Sequence, residues 1–183
     1  MSSFEHFQND FNAVQSWIDS ALTVRRHCLR QPTVITVAES GPKARTMVLR
    51  DVREGQLFFF TDRRSFKVSE IQAQPKGCVH AYDTKKRLQI QIYGTFSLVE
   101  ESPHLVRWRS MGLQNFSDYG SQAPPGTSRP TNNIVTKELA KINFSVITLN
   151  PTSIELLKLQ RDGHWRVVWN RAADRWTPTV LVP

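Results

Sequence analysis

The sequence predicts a mainly β (α+β) fold, with short antiparallel strands in a closed or partly closed barrel and peripheral helices. Three observations support this prediction. Many short apolar segments are separated by turn signals, such as Gly41-Pro42 and Glu54-Gly55. Apolar and polar residues alternate clearly over residues 87–99. Helical periodicity is confined to a few segments, so the helices are expected to decorate the sheet.

The predicted strands follow the apolar segments between turn signals. In residues 87–99 the alternation places Leu88, Ile90 and Ile92 on one face, and Gln89, Gln91 and Tyr93 on the other. One face of this strand is therefore expected to be core. The predicted strands span residues 33–39, 44–52, 56–61, 77–83, 87–99, 145–149, 153–159, 164–169 and 175–182.

Four segments have helical patterns. Residues 4–22 repeat apolar side chains at spacings of three and four, which predicts a helix lying on the sheet. A membrane-surface helix would carry basic residues on its polar face, where this segment has Glu5, Asp10 and Asp19. Residues 65–74 form the second, which Ser65 can cap and Pro75 ends. The other two predicted helices span residues 102–111 and 134–142.

The length and composition indicate one folded domain over residues 1–183. Hydrophobic residues make up 39% of the chain and charged residues 22%, which is typical of a globular protein. Cys28 and Cys78 are isolated and fit no metal spacing, so we expect two small hydrophobic side chains and no metal. The first residues show no signal-peptide pattern, and we expect a cytoplasmic location.

The formal net charge of +8 favours anionic partners. Nucleic acids and phosphorylated small molecules are both candidates. The arginines are spread along the chain rather than gathered in one basic block, which weakens the nucleic-acid alternative. Residues 112–133 are rich in Gly, Pro, Ser and Asn and form a predicted loop of a length typical of functional or mobile segments.

The best candidate for an anion site lies at the start of the 65–74 helix. Thr61 ends a predicted strand, Ser65 stands at the cap and Lys67 lies in the first helical turn. A phosphate there would meet hydroxyls, backbone N–H groups and an ammonium together. Cations are disfavoured at a helix N-terminus, so Lys67 either meets an anion or points to water.

Arg45 and Arg50 add guanidinium groups on the preceding strand. They are five positions apart, so an ideal strand would place them on opposite sides. They either serve different parts of a ligand, flank a bulge, or are solvated edge residues. Gln89 lies on the polar face of its strand, where it is either an ordinary wet residue or a donor and acceptor for a heteroaromatic ring.

These residues occur in an order that resembles the pyridoxamine 5'-phosphate oxidase family. The matching stretches are "RTMVLR" (45–50), "FFTDRRSFK" (59–67) and "RLQIQIYG" (87–94). Two weaker matches are "YGSQA" (119–123) and "NFSVITLNPTSIELLKL" followed by "HWRVVW". The resemblance runs from about residue 33 to the C-terminus and is weakest across residues 101–133.

The resemblance implies an FMN-binding split β-barrel that works as a homodimer with the flavin between the subunits. It implies that Arg45 and Lys67 hold the FMN phosphate beside the hydroxyls of Thr61 and Ser65, with Phe60 preceding Thr61 in the same motif. The backbone at Met47 and Val48 would run along the isoalloxazine ring. The other implied residues are Gln89, Gln122 and Arg166 as flavin contacts, Gln122 to the other subunit's flavin, and Arg50 and His164 as substrate contacts.

The chain also departs from the family pattern. The family has Ser-Arg-Lys at the helix start, where this chain has Ser65-Phe66-Lys67. The family's Arg-Pro-Arg substrate segment is replaced by residues 104–112, with Arg107 or Arg109 as substitutes. Two further departures are Leu157 at an expected tryptophan and Arg161 off register for a substrate arginine. The flavin site is thus matched better than the substrate site.

The resemblance implies an FMN-dependent oxidoreductase in which hydride passes from a phosphorylated substrate to flavin N5. A non-catalytic FMN-binding dimer or flavin carrier is the alternative that the weaker substrate segment favours. A nucleic-acid binder is a third alternative, resting on the charge and the five tryptophans.

Overall fold

A computed structural model describes residues 6–128, 130–161, 163–173 and 175–183. In this part of the chain the strands form one antiparallel sheet, which confirms the mainly β prediction. The strands are β1 (Thr33–Ala38), β2 (Gly41–Thr46), β3 (Leu49–Arg53), β4 (Gln56–Asp62), β5 (Lys76–Asp83), β6 (Leu88–Leu98), β7 (Phe144–Lys158), β8 (Trp165–Ala172) and β9 (Arg175–Leu181).

Short helices pack around this sheet. Asp10 caps the second helix, because its carboxylate accepts a hydrogen bond from the Asn12 amide at 2.9 Å. The helices are α1 (His6–Asn9), α2 (Phe11–Asp19), α3 (Phe66–Ala73), α4 (Leu105–Leu113) and α5 (Lys137–Asn143), with 3-10 turns at Ser20–Leu22, Cys28–Arg30 and Phe116–Asp118.

The sheet is not closed into a complete barrel. Its strand order is β2-β1-β5-β6-β7-β4-β3, and β8 and β9 continue from β7. Strands β2 and β3 are consecutive in sequence but lie at opposite ends of that order. Only Met47 and Val48 connect them, and the Met47 amide donates to the Pro32 carbonyl at 3.1 Å. The two edges therefore meet at one short, non-strand connection.

The prediction of one continuous strand over residues 44–52 is wrong. The chain leaves the sheet after Thr46 and re-enters it at Leu49. The reason is that β2 pairs with β1 whereas β3 pairs with β4, so one straight strand cannot satisfy both partners. The pairing of β3 is itself irregular between Leu49 and Asp51. The strict alternation that separates Arg45 from Arg50 is lost.

Several other predicted boundaries shift. The turn falls at residues 39–40, and Gly41 begins β2 with a φ of 107°. Residues 145–149 and 153–159 belong to one long strand, β7. The helix predicted over residues 102–111 begins only at Leu105, and that over 134–142 only at Lys137. The helix predicted over residues 4–22 divides into α1, α2 and a 3-10 turn, with residues 4 and 5 outside the described part.

Two apolar clusters form the core. The larger one places Val14 and Ile18 of α2 against the inward face of the sheet, where Leu88, Ile90 and Ile92 are fully buried. This confirms both the alternation in β6 and the packing of the N-terminal helix on the sheet. The smaller cluster joins β4 and β7 to α4 and α5, and contains Phe58, Phe60, Trp108, Tyr119, Ala140, Phe144 and Val146.

Cys28 and Cys78 are free thiols, as the sequence predicts. Burial raises the pKa of each to about 11, so both stay protonated at neutral pH and behave as small apolar side chains. No helix in the described ranges has the length and apolar character needed to cross a membrane.

Gly94 provides a test of the sheet register. It lies at the irregularity between β6 and β7, where an added Cβ would fall 2.2 Å from the Asn150 carbonyl oxygen. We expect Gly94→Ala to lower the free energy of unfolding by roughly 1–3 kcal/mol, because the backbone must shift. Urea unfolding measures this change, with Ser97→Ala at an exposed position of β6 as the control. Equal midpoints for the two variants would contradict the register.

Candidate functional site

Thr61, Ser65 and Lys67 form a compact group, here called the hydroxyl–lysine cluster, between the end of β4 and the start of α3. The Lys67 Nζ lies 3.0 Å from the Ser65 Oγ and 3.2 Å from the Thr61 Oγ1, and the two hydroxyl oxygens are 3.2 Å apart. Thr61 and Ser65 are only 3% and 4% exposed. The structure thus brings together the three residues that the sequence predicts at this anion site.

Lys67 does not point into solvent, which answers the question left open by the sequence. Its pKa is lowered, first because burial disfavours the charged ammonium and second because Arg45 is close. Ser65 occupies the N-cap of α3 but makes no side-chain capping hydrogen bond. Its hydroxyl faces Lys67 instead, so the predicted side-chain cap is wrong. A partly buried cation with few compensating groups favours the binding of an anion.

Arg45 lies beside the cluster and is held by groups that sequence reasoning missed. It forms an ion pair with Glu70 of α3 at 2.9 Å and donates to the Thr36 hydroxyl of β1. Glu70 lies three residues after Lys67, which places both on one helix face, and that spacing was the available signal. The carboxylate fixes the guanidinium while offsetting part of its charge.

A cleft of about 320 Å3 opens at the connection between β2 and β3. Asp118, Tyr119 and Pro125 from the 112–133 segment form its other wall. The Arg50 guanidinium lies 5.3 Å from the centre of the Phe60 ring in this cleft. The sequence-predicted residues lining it are Arg45, Met47, Val48, Arg50, Phe60, Thr61 and Lys67.

A larger open cleft of about 1070 Å3 lies on the other side of Arg45 and Lys67. Phe66, which stands where the resembling family has arginine, is 60% exposed at its wall. Its ring packs against Gly126, where an added Cβ would come within 2.8 Å of the ring. Phe66 therefore contributes apolar surface rather than charge beside the cluster.

Three other predicted residues lie elsewhere on the protomer. Gln89 and Arg166 occupy one row across the outer face, because Gln89 pairs with Leu157 and Leu157 pairs with Arg166. Arg166 forms an ion pair with Glu155 at 2.9 Å, which raises the arginine's pKa. The ring Nδ1 of His164, just before β8, accepts a hydrogen bond from the Gln160 amide at 3.1 Å. None of the three lines either cleft.

Gln122 lies in the exposed segment beyond Tyr119. Its carbonyl accepts a hydrogen bond from the Arg64 guanidinium at 3.0 Å, and Arg64 also pairs with Asp62 at 2.7 Å. Sequence reasoning missed Arg64 and Asp62, since charges two residues apart in a turn give no periodic signal. Gln122 is thus connected to the turn that carries Ser65.

The residues at the substrate positions where the chain departs from the family pattern do not come together. Arg107 and Arg109 are exposed on α4, and Arg109 lines a separate recess with Arg63. Arg161 is exposed, and Leu157 lies half-buried in the outer row. The suggested substitutes for the substrate arginines therefore do not reach the cleft of Arg45 and Arg50 in this protomer.

Comparison with known proteins finds similarity to one family. Residues 12–100 match the model of the pyridoxamine 5'-phosphate oxidase, FMN-binding domain. A pyridoxine/pyridoxamine 5'-phosphate oxidase of Deinococcus deserti is 28% identical over 123 residues, which are 65% of this chain and 55% of the relative. One from Caulobacter vibrioides is 24% identical over 192 residues, covering 96% and 86%. The chain spans about half the length of the first of these relatives.

Solved structures agree on the fold. A pyridoxamine 5'-phosphate oxidase-related, FMN binding protein from Nostoc punctiforme is 25% identical with a TM-score of 0.68, covering 94% of this chain and 96% of that one. PhzG from Burkholderia lata covers 100% and 97% with a TM-score of 0.77 at 16% identity, a likeness of fold alone.

The open antiparallel sheet with peripheral helices matches the split-barrel fold of these structures. Over residues 12–100 the chain resembles the FMN-binding domain of the pyridoxamine 5'-phosphate oxidase family, and this match supports FMN as the cofactor. The donor set fits this cofactor, because an ammonium, a guanidinium and two hydroxyls suit the oxygens of a phosphate.

The hydroxyl–lysine cluster generates a prediction about the cofactor phosphate. We expect Lys67→Met to weaken FMN binding roughly 10- to 100-fold, because a charge-assisted hydrogen bond contributes about 1.5–3 kcal/mol. Riboflavin, which lacks the phosphate, should bind both proteins equally. Quenching of flavin fluorescence measures both affinities, with Lys85→Met on an exposed turn as the charge control. Equal losses for FMN and riboflavin would place Lys67 away from the phosphate.

The lowered pKa of Lys67 generates a second prediction. The ammonium is charged only below its pKa, which lies under the ordinary value of 10.5. The affinity for FMN should therefore fall as the pH rises through this lowered pKa. FMN titrations between about pH 7 and pH 10 measure the effect. Lys67→Arg keeps its charge over this range, so its affinity for FMN should change less with pH. The same pH dependence in both proteins would contradict a role for the Lys67 ammonium in FMN binding.

Proposed function

We propose that the protein is an FMN-dependent oxidoreductase related to pyridoxine/pyridoxamine 5'-phosphate oxidase. The observation that carries the proposal is the cleft between β2 and β3, which gathers seven sequence-predicted residues around one cavity. Arg45, Lys67 and Thr61 line this cleft, with the Ser65 hydroxyl beside Lys67. The Met47–Val48 connection lines it as well. A ligand with one anionic end and one flat apolar end matches this arrangement.

In this proposal, Arg45 and Lys67 hold the FMN phosphate together with the hydroxyls of Thr61 and Ser65. Two of the donors on Arg45 already contact Glu70 and Thr36, and the guanidinium has further N–H groups for phosphate oxygens. The Glu70 carboxylate keeps that guanidinium oriented whether or not the FMN phosphate is bound. Because Phe66 stands where the family has arginine, the phosphate would meet one positive charge fewer in this site than in the family pattern.

The flat end of the ligand lies against Met47 and Val48. These two residues belong to neither edge strand, so their peptide groups are not committed to a continuous ladder. Phe60 and Arg50 lie on the neighbouring wall. Phe60 supplies apolar surface, and the Arg50 guanidinium over its ring supplies a cation for the phosphate of a substrate.

We further propose that the protein works as a homodimer with the flavin at the interface. Gln89, Arg166 and His164 are the remaining proposed ligands, and they lie apart from the cleft of their own protomer. The outer face that carries Gln89 and Arg166 also exposes Val37, Tyr82 and Tyr93. Burying this face against a second copy would bring its Gln89 and Arg166 to the cleft of the partner. The proposed Gln122 contact with the flavin would be made across the same interface.

The proposed substrate is pyridoxamine or pyridoxine 5'-phosphate, a phosphorylated small molecule bound by Arg50 and His164. When bound, FMN supplies the hydride acceptor, its N5 atom. The chain's own residues bind and orient the substrate against the ring and keep its phosphate apart from that of the cofactor. No residue is assigned to proton transfer. The reducing cytoplasm is the proposed location, because two free thiols suit it.

A non-catalytic FMN-binding dimer or flavin carrier is the second candidate. The observation that favours it is the position of Arg107 and Arg109, which lie outside both clefts although the family's substrate arginines belong to that stretch. Nucleic-acid binding is not proposed. In the described ranges, ion pairs with carboxylates partly neutralise Arg45, Arg53, Arg64 and Arg166, so these arginines do not form a free basic stripe.

The proposal is tested first by the visible absorption spectrum of the purified protein after incubation with FMN and desalting. Retained flavin bands support the cofactor site, and a colourless protein contradicts it. Oxygen consumption with pyridoxamine 5'-phosphate then separates the two candidates. Turnover by the FMN-loaded protein, absent in Arg50→Ala, supports the oxidase, whereas bound flavin without turnover supports the carrier.

The proposed interface generates a prediction about assembly. Tyr82→Glu introduces a charge on the outer face, so we expect a monomer with reduced retention of FMN. Sedimentation velocity measures the mass, and the flavin absorbance of the same sample measures retention. Val106→Glu on α4, which is also highly exposed, is the matched control and should stay dimeric. A dimeric Tyr82→Glu protein with full flavin content would place the interface elsewhere.

A further inference from the structure

Arg64 connects the turn before α3 to the segment that carries Gln122. Its guanidinium contacts both Asp62 carboxylate oxygens, with Nε–Oδ1 at 3.0 Å and Nη2–Oδ2 at 2.7 Å. The same guanidinium donates to the carbonyls of Ser121 at 2.8 Å and Gln122 at 3.0 Å. One side chain therefore makes four hydrogen bonds between parts of the chain that are almost sixty residues apart.

The Asp62 carboxylate holds the Arg64 guanidinium in a fixed geometry. The Asp62 carboxylate is nearly fully buried, and it also accepts a hydrogen bond from the Arg64 backbone amide at 2.9 Å. This pairing raises the pKa of the Arg64 guanidinium, first through the hydrogen bond to Asp62. A planar guanidinium held on both carboxylate oxygens has one orientation, so its remaining donors point in a fixed direction.

The other end is a loop that is already organised. The Gln122 amide donates to the Ile134 carbonyl at 2.8 Å, and the Asn133 side chain accepts hydrogen bonds from Ser121 and Ala123. These hydrogen bonds join residues 121–123 to residues 133 and 134 as one unit. Arg64 binds the face of that unit where the backbone carbonyls at residues 121 and 122 point toward the barrel.

We propose that Arg64 is a positioning residue that sets the place of Gln122 relative to the hydroxyl–lysine cluster. Arg64 directly precedes Ser65, so the turn that carries a proposed phosphate ligand also holds the loop that carries a proposed ring ligand. The proposed Gln122 contact crosses the dimer interface, so Arg64 would fix the loop that reaches the flavin ring of the partner relative to the turn that holds the phosphate of the protomer's own flavin. This inference rests on the proposed flavin contact of Gln122.

The neighbouring residue provides a matched control. Arg63 carries the same charge, is exposed and lines a separate recess, and its backbone amide donates to the Asn143 carbonyl at 2.8 Å. Arg63→Ala thus removes one positive charge from the same turn and leaves the contacts with residues 121 and 122 in place. Any general effect of charge on flavin binding appears in both variants.

The experiment measures the affinities of Arg64→Ala, Arg64→Lys and Arg63→Ala for FMN and for riboflavin. We expect Arg64→Ala to weaken both ligands by the same factor, about tenfold, because the ring contact is lost and the phosphate contact is kept. Arg64→Lys should lose nearly as much, since an ammonium cannot hold both carboxylate oxygens and both carbonyls. Arg63→Ala should bind like the wild type.

A double-mutant cycle tests whether Arg64 acts through Gln122. If it does, Arg64→Ala combined with Gln122→Ala binds FMN no more weakly than the weaker single variant. Hydrogen exchange gives a readout without flavin, because the amides of Gln122 and Ala123 should exchange faster in Arg64→Ala than in Arg63→Ala. Thermal unfolding of each variant shows that the compared proteins are folded, and Arg64→Lys serves where Arg64→Ala unfolds.

The outcomes separate this inference from the proposed function. Wild-type affinity in Arg64→Ala, or losses that add in the double variant, overturn the positioning role while the flavin site stands. A loss confined to FMN would make Arg64 a phosphate ligand instead. A wild-type protein that binds neither flavin overturns the proposed function, and with it the flavin role of Arg64.

Discussion

The break between β2 and β3 is the constraint on which the site depends. These strands are consecutive in sequence, yet they lie at opposite ends of the main strand order of one sheet. Because each edge has its own partner, the Met47–Val48 connection must leave both ladders where the edges approach each other. Peptide groups outside a ladder need other partners or a ligand. The opening of the barrel and its ligand cleft are therefore one feature of the fold.

The electrostatics of the cleft follow from what surrounds Lys67. An ammonium among two buried hydroxyls has lost part of its hydration, and the nearby Arg45 adds a second positive charge. Glu70 offsets some of that charge, but it contacts Arg45 rather than Lys67. An incoming phosphate would complete the compensation that the protein alone leaves unfinished. The folded protein therefore carries two cations, Arg45 and Lys67, at the wall of this cleft.

Sequence patterns predicted what depends on local structure. The alternation in β6 gave the buried row of Leu88, Ile90 and Ile92, and the strand-to-helix junction gave the cluster around Lys67. The division of residues 44–52 was missed, because it depends on pairing with strands distant in sequence. Glu70 and Arg64 were missed for a related reason. Their partners lie on other elements, or in a loop that carries no periodic pattern.

Two arginines near the helix start illustrate how this chain differs from the pattern it resembles. The family's arginine after the serine is replaced by Phe66, which packs on Gly126. An arginine is present two positions earlier, as Arg64, but Asp62 neutralises most of its charge and orients its donors toward backbone carbonyls. In the proposed site, the residue after Ser65 thus adds no charge, and Arg64 holds the loop instead. In the proposed site, cofactor binding would depend less on total charge and more on the ordered loop that carries Gln122.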